Sequence, residues 1–439
     1  MFNPELAKNY WLEITPHRLI ATPVVIALIA ILILINAETD LAKTLEIYFY
    51  SAAVILACIG GAYYASNSLM TEFVEKTWDQ QRLSPLSPWT LTWGKLVGGT
   101  LFPWYGAILC LLGYLLLPPF YGNETSLLER LLNSFILIEI AVFVQALSIL
   151  LSLNLANNPD RLIRYRRNHT SSAVLVAIIV APPFLGLPHE GFQSWYGVDI
   201  ATRDFVMLSS LCFAFWAVLG AYRLMRNQMQ FQNGQLPWIA FNIFLMIYFP
   251  GLAELNDQSQ LSQFQYTIAF GIGLSLFYML FLTSTIENQR IRRCINAIKD
   301  KNPKALWLNT PLWATTYILT ALCAIISTLS FYAEGVVFFE WPEHSRLIFI
   351  SLLLFGLRDV LLWLGLSFGS KSQRHAVITI IYLCLLYVVV PLIIAGLDLK
   401  WLLGFFWPAD AKEVFIIPVA LEIPFVAYWT RKRWLRAGM

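Results

Sequence analysis

The stretch "EKTWDQQRLSPLSPWTLTWGK" (75–95) is short, charged and broken by two prolines, and apolar runs close in on both sides of it. Those runs decide the fold class. Apolar residues make up 58% of the 439-residue chain and charged residues only 13%, about half of the ~25% found in soluble domains. The chain therefore reads as a membrane protein. Runs able to cross the hydrocarbon, which takes about 20 residues each, lie at 19–36, 46–67, 96–118, 131–154, 171–187, 205–224, 237–253, 265–286, 312–331, 347–368, 376–396 and 414–430. The expected class is all-α and polytopic, with about twelve transmembrane helices.

Residues 1–18 lack the basic start, apolar core and small-residue cleavage site of a signal peptide and carry Glu5, Trp11, Glu13 and Arg18, so the first apolar run is expected to stay in place. "NPELAKNYWLEI" (3–14) reads as an amphipathic surface helix, with Leu6, Tyr10, Trp11 and Ile14 towards lipid and the charges towards water. A disordered leader is the plain alternative. Cys58, Cys110, Cys212, Cys294, Cys323 and Cys384 show no close pairing and read as core residues. His17, His169, His189, His344 and His375 have no metal-ligand spacing. A formal net charge of +3 gives no case for nucleic acid as a partner.

Lys and Arg are retained on the cytoplasmic side of membrane proteins. With the amino terminus inside, the inner segments hold roughly 23 of the 30 basic residues and the outer loops about six. The inner segments include "RLIRYRRNH" (161–169) and "QRIRRCINAIKDKNPK" (289–304), whereas "AEGVVFFEWPEH" (333–344) is outer and acidic. Both termini and the opening stretch are thus expected to be cytoplasmic in a multi-pass inner (plasma) membrane protein.

Within that stretch, residues from about 68 to 83 are good helix formers. Met70, Val74, Trp78 and Gln81 share one face, and Glu72, Glu75 and Asp79 another. Ser84 precedes Pro85 and Ser87 precedes Pro88, and a residue before proline is pushed out of the helical region, so the helix is expected to stop there. Ser87-Pro88 is also an N-cap followed by a first-turn proline. The expected object is helix, elbow, helix, its first arm lying across the inner membrane surface.

A weak internal repeat divides the chain into two parallel six-helix units, 1–230 and 231–439. "FVQALSILLSLN" (143–154) slides onto "GLRDVLLWLGLS" (356–367), and "LGAYRLMR" (219–226) onto "FVAYWTRK" (425–432). In the second copy "ENQRIRRCINAIKDKNPKALWLNTPLW" (287–313) takes the place of the opening stretch: a helical arm, Asn302-Pro303 as breaker, then Thr310-Pro311 at the start of the next span. Paired elbows are either relics of duplication or docking points for a two-fold symmetric partner.

"TEFVEKTWDQQRLSPLSPWTLTWGKL" (71–96) resembles the permease subunits of type-two ATP-binding-cassette (ABC) transporters. In that family an acidic helix with a Gly-Thr step, a Ser-Pro-Leu-Ser turn and a Gly-Lys before the third span form the coupling element that sits on the ATPase. Thr77, Ser84, Pro85, Leu86, Ser87, Gly94 and Lys95 match, and Lys76 stands where the family usually has glycine. The resemblance covers about thirty residues of the first half; the second half matches in architecture alone. It implies two fused permease units, coupled to two copies of a separate ABC ATPase subunit that holds ATP and Mg. The implied coupling residues are Glu72, Glu75, Thr77, Trp78, Asp79, Arg82, Ser84 and Pro85 after span two, and Arg290, Arg293, Asn302 and Pro303 after span eight. The acidic first elbow and basic second elbow imply either unlike docking clefts or a second elbow that meets anionic membrane lipid.

The chain has no G-x-x-x-x-G-K-[ST] phosphate loop, so it is expected to bind no cofactor itself and to act as a transporter permease, not an enzyme. Export fits the resemblance better than import. A twelve-span secondary transporter and a non-transporting scaffold are the alternatives. Arg358 and Asp359 fall within span ten, Glu422 within span twelve and Glu139 within span four, each costly in hydrocarbon. They are expected either as a satisfied ion pair, Arg358 with Glu422 or Glu139, or as part of a substrate or proton path. The outer segments 186–199 and 396–413 read as short interfacial helices or as a plain aromatic belt.

Overall fold

The computed structural model describes residues 3–36, 41–117, 126–156, 171–185, 191–254, 258–283, 288–334, 347–368, 375–408 and 416–436. The basic segment 161–169 and the acidic segment 333–344 lie mainly or wholly outside them. The chain divides into two compact units, residues 1–193 with 200–233 and residues 194–199 with 234–439. Helices dominate both.

In the first unit α1 (Pro4–Glu13) begins on Asn3, whose side chain accepts from the amides of Glu5 and Leu6. Helix α2 is Pro16–Asn36. Helix α3 (Leu41–Val74) has 34 residues, so at 1.5 Å per residue it spans about 50 Å, well beyond a hydrocarbon core of ~30 Å. One end of α3 must therefore project from the bilayer. A π-helical turn at Ile55–Gly60 interrupts it. Such a turn offsets backbone partners, and Gln145 donates to the Ala57 carbonyl there at 2.9 Å. The short α4 (Trp78–Arg82) follows. Next come α5 (Pro88–Gly98) and α6 (Leu101–Leu116), bent by 48° at Gly99, where a Cβ would press on the Lys95 carbonyl and the Ser68 hydroxyl. Helix α7 (Leu127–Ala156) is the most buried span. It packs along α3 and along α10 (Thr202–Gln228). Ala53, Ala57, Ala62, Ala107 and Ala141 fill the shared core, as expected where close backbone approach holds helices together in lipid. Between α7 and α10 lie α8 (Ser171–Val180) and α9 (Pro182–Leu185).

The second unit runs α11 (Leu236–Tyr248), α12 (Gln258–Thr283), α13 (Asn288–Lys299), α14 (Pro303–Asn309), α15 (Leu312–Glu334), α16 (Ile348–Phe368), α17 (His375–Cys384), α18 (Val390–Gly396) and α19 (Ile416–Arg436). Phe277, Phe281, Val360 and Trp363 form one buried aromatic core there, and Phe270, Phe349 and Leu353 another.

Several expectations change. Among the described residues eight helices are long and apolar enough to cross a membrane, or nine if the bent α5–α6 pair is one span. Of the remaining runs, 171–187 breaks at Pro182, 237–253 holds the 13-residue α11 followed by a 3-10 turn, and α19 carries Glu422, Arg431, Lys432, Arg433 and Arg436. Residues 192–201, expected as part of an interfacial helix, form a hairpin of β1 (Phe192–Trp195) and β2 (Val198–Ala201). Tyr196 and Gly197 both take positive φ at its tip, the conformation a two-residue hairpin turn demands. That tip, assigned to the second unit, is held by the Tyr196 amide donating to the Gly251 carbonyl at 2.9 Å. In 396–413 a 3-10 turn occupies Lys400–Phe405.

Candidate coupling elbows and buried charge clusters

The first elbow is made by backbone geometry before side chains matter. The amide of Lys76 donates to Phe73 and that of Thr77 to Glu72, at 3.3 and 3.0 Å, while Lys76 takes φ 60°. This is a Schellman helix end with its left-handed residue at Lys76. The family resembled here has glycine at that place, and lysine adopts the turn without it. The helical arm expected over 68–83 is thus two pieces: the last turns of α3, and α4 beyond the turn. Downstream the expected cap forms, with the Ser87 side chain accepting from the Thr90 amide in front of Pro88.

Behind this turn lies a charge network that sequence reading placed at the surface. Lys95 is 1% exposed. Its ammonium lies 2.7 Å from Glu5 Oε1 and 2.5 Å from Glu72 Oε1. Glu72 Oε1 also accepts from Lys8 at 2.7 Å and from Gln81 at 2.6 Å. The network joins α1, α3, α4 and α5 with two cations and two anions. Burial would push the Glu5 carboxyl up, but Lys95, with Lys8, outweighs it and holds Glu5 below its ordinary range. Burial would likewise lower Lys8, yet Glu72 and Glu5 hold its ammonium above the usual range.

Helix α1 reaches this site because Gly94 and Gly98 leave a groove for it. A Cβ on Gly94 would stand 2.6 Å from Glu5 Cβ, and one on Gly98 3.3 Å from Leu6 Cα. The small-xxx-small spacing of "GKLVG" (94–98) permits the approach. The expectation that the charges of α1 face water is corrected for Glu5, which is buried; Tyr10 and Trp11 stay exposed.

Of the implied coupling residues in this unit, Glu75, Asp79 and Pro85 are exposed, and Thr77, Arg82 and Ser84 are half-buried. Glu72 and Trp78 are buried. Glu72 is taken up by the network, and Trp78 packs on Phe73 with ring centroids 4.6 Å apart. Neither offers a surface to a partner.

The second elbow repeats the backbone turn. Lys301 donates to Ile298 and Asn302 to Ala297, at 3.2 and 2.9 Å, and Lys301 has φ 49°. Asn302 caps α14 by accepting from the Ala305 amide, with Pro303 next. The same helix end recurs at Gln230 and Asp398, so the turn alone does not mark a repeat. Arg290 is half-buried and donates to the carbonyls of Asn309 and Thr310 at 3.2 and 3.1 Å, tying α13 to the start of α15. Arg293 is exposed.

Arg358 and Asp359 are satisfied locally, whereas Glu139 Oε1 is buried without a hydrogen-bond partner. Arg358 donates to Asp359 Oδ1 at 3.1 Å, Glu422 Oε2 at 2.9 Å and the Phe405 carbonyl at 2.8 Å. Asp359 accepts further from the hydroxyls of Tyr278 and Tyr387. Glu422, rather than Glu139, is thus the partner from another helix. Glu139 accepts from Ser210 at 2.6 Å. A further buried pair, Arg130 with Glu46 at 3.0 Å, has no sequence signal, because its members are distant along the chain and gave no motif.

No protein-family model, no curated protein and no solved structure matches the chain.

Proposed function

We propose that the chain is the transmembrane permease of an ATP-driven exporter, two parallel six-helix units in one polypeptide. Two copies of an ABC ATPase, as separate subunits, hold ATP and Mg and engage the elbows that follow spans two and eight. On this reading both elbows and both termini are cytoplasmic in a plasma (inner) membrane. This chain itself catalyses no covalent chemistry.

The observation that carries the reading is the first elbow. The end of α3, a tight left-handed turn at Lys76, a short helix and a capped Ser87-Pro88 helix start occur in the order the resembled coupling element requires. Element order lends support to the repeat. In each unit a pair of helices is followed by an elbow, then a helix, then a helix packed along the unit's last one: α7 on α10, and α16 on α19. Twelve crossings follow if α5–α6 is one bent span and α8–α9, α11 and α19 also cross. Mild detergent extraction from the native host, followed by identification of the co-purifying chains, tests the proposal. An ABC ATPase in equal or twofold amount is expected, and its reproducible absence refutes it.

A secondary transporter is favoured by one observation, the Arg358–Asp359–Glu422 cluster inside the second unit, since ionisable residues within spans mark ion paths in such proteins. It predicts transport in proteoliposomes driven by an ion gradient without ATP.

A further inference from the structure

We propose that α13 lies on the acidic phospholipid head groups of the leaflet surface from which α12 and α15 enter the membrane, its apolar stripe inserted and its basic edge paired with phosphate. The proposal needs only that the chain is membrane-embedded and stands whether or not an ATPase engages the elbows.

Position comes first. The span Leu261–Thr283 ends five residues before Asn288, and five extended residues reach roughly 18 Å at most. At its other end α13 is held by the bonds from Arg290 to Asn309 and Thr310, immediately ahead of the span at Leu312. A helix tethered to two membrane-entering segments lies at the surface they enter.

Its faces then differ. At 100° per residue, Ile291, Cys294, Ile295 and Ile298 fall on one side, with Ala297 and Arg290 turned towards α14 and α15. Ala297 is buried, whereas Ile298 is 60% exposed and Ile295 37%. Arg292 and Lys299 border this stripe on one side, both exposed, and their long stems let the charges rise to head-group level. Beyond the turn Trp307 is also exposed, a side chain that favours the membrane interface. An apolar stripe edged by Arg and Lys is the pattern of a helix lying in the head-group region. The charge sign selects acidic lipid: Arg292, Arg293, Lys299, Lys301 and Lys304 are exposed, with Asp300 the one exposed acid in 290–304. The first elbow has no such helix, because its arm continues α3 and its acid Glu72 is buried.

Hydrogen exchange of the full chain in nanodiscs decides the matter, comparing phosphatidylcholine with phosphatidylcholine containing about a third phosphatidylglycerol. Amides of 288–299 are expected to exchange about tenfold more slowly in the acidic discs, the difference vanishing in about 0.5 M salt. The difference should also vanish in the combined variant Arg292→Gln, Arg293→Gln, Lys299→Gln and Lys301→Gln, which keeps the Arg290 tether. Unchanged protection of α16 verifies that this variant folds; if it does not, the wild-type lipid and salt comparison decides alone. Ile298→Asp should weaken the effect, and full retention would overturn insertion of the stripe. Equal exchange in the two discs overturns the proposal. So does protection that arises only when an ATPase is added, which would make the occupant a protein.

Discussion

Replacing Lys76 with glycine should strengthen the first elbow, although glycine ordinarily weakens helices. A side chain in the left-handed region costs about 1–2 kcal/mol through contact of Cβ with the backbone. Glycine removes that cost and returns about 0.5–1 kcal/mol through the greater freedom of the unfolded chain. The net gain is about 0.5–1 kcal/mol, or a roughly two- to fivefold slowing of local opening. The amide to watch is that of Thr77, which donates to the Glu72 carbonyl across the turn. Hydrogen exchange suits the measurement better than heating, since large membrane proteins commonly unfold irreversibly. Lys301→Gly, at φ 49°, should act in the same direction on the amide of Asn302. Lys304→Gly is the control: Lys304 lies within α14, so glycine there should speed exchange of the Leu306 amide by a factor of about two to five. If Lys76→Gly and Lys304→Gly both speed exchange at their reporters, the left-handed turn is not what shapes the elbow.

Lys95→Met leaves Glu5 and Glu72 buried with Lys8 as their remaining ammonium partner and should cost about 3–5 kcal/mol, read as faster exchange across α1. Adding Glu5→Leu, which leaves the Lys8–Glu72 pair intact, should recover part of that loss, and unchanged exchange in Lys95→Met would remove the network from the account of α1 docking. Because Glu5 is held below its ordinary value of 4.5, its contribution is present above that value and fades as pH falls through the depressed one. Lys8, raised above 10.5, contributes below that value and loses its smaller, half-exposed share as pH rises further. Protease accessibility of 4–13 should therefore be flat from about pH 5 to 10 and rise in acid; a step near neutrality would contradict the assignment. Arg358→Gln strands Asp359 and Glu422 and should lower the fraction of monodisperse protein surviving heat. The triple change Arg358→Met, Asp359→Asn and Glu422→Gln should restore most of it if the cluster is structural.

What could be read from the chain beforehand follows from how local each cause is. The Ser87-Pro88 helix start and the Asn302-Pro303 breaker were legible because a cap and a proline act within a few residues. Lys76 was not, since lysine carries no left-handed preference and the turn is set by two backbone hydrogen bonds. Glu72 sat on the acidic side of a helical wheel, and nothing in its neighbourhood announced that Lys95 and Lys8 would converge on it. Gly94 carries a sequence signal only through the Gly-Lys motif and Gly98 carries none, while their physical role is the groove that admits α1. The partners of Arg358 were half legible: cost in hydrocarbon demanded a carboxylate, but which of Glu139 and Glu422 answered depended on which helix packs along α16. The runs at 171–187, 237–253 and 414–430 differ from the other spans by a Pro-Pro break, a shorter helix and a charge load, none of which a simple count of apolar runs weighs.

The two elbows share a backbone turn and differ in what stands behind it, and that difference fixes what each can transmit. A displacement at Lys76 moves Glu72, four residues earlier in the same helix end. Glu72 Oε1 holds Lys95, Lys8 and Gln81 at 2.5, 2.7 and 2.6 Å. That carboxylate cannot shift by an ångström or two without dragging α5 and α1 or leaving buried charges unpaired, and the second course costs several kcal/mol. The first elbow is therefore a stiff joint spanning α1, α3 and α5. Behind Lys301 no buried ion pair is found among the described residues; two bonds from one guanidinium to carbonyls join α13 to the head of α15. Bonds of that kind contribute about 1.5–3 kcal/mol each, and α13 can pivot about them. A push on the second elbow would reach α15 alone, with the rest of the load falling on whatever surface α13 rests against.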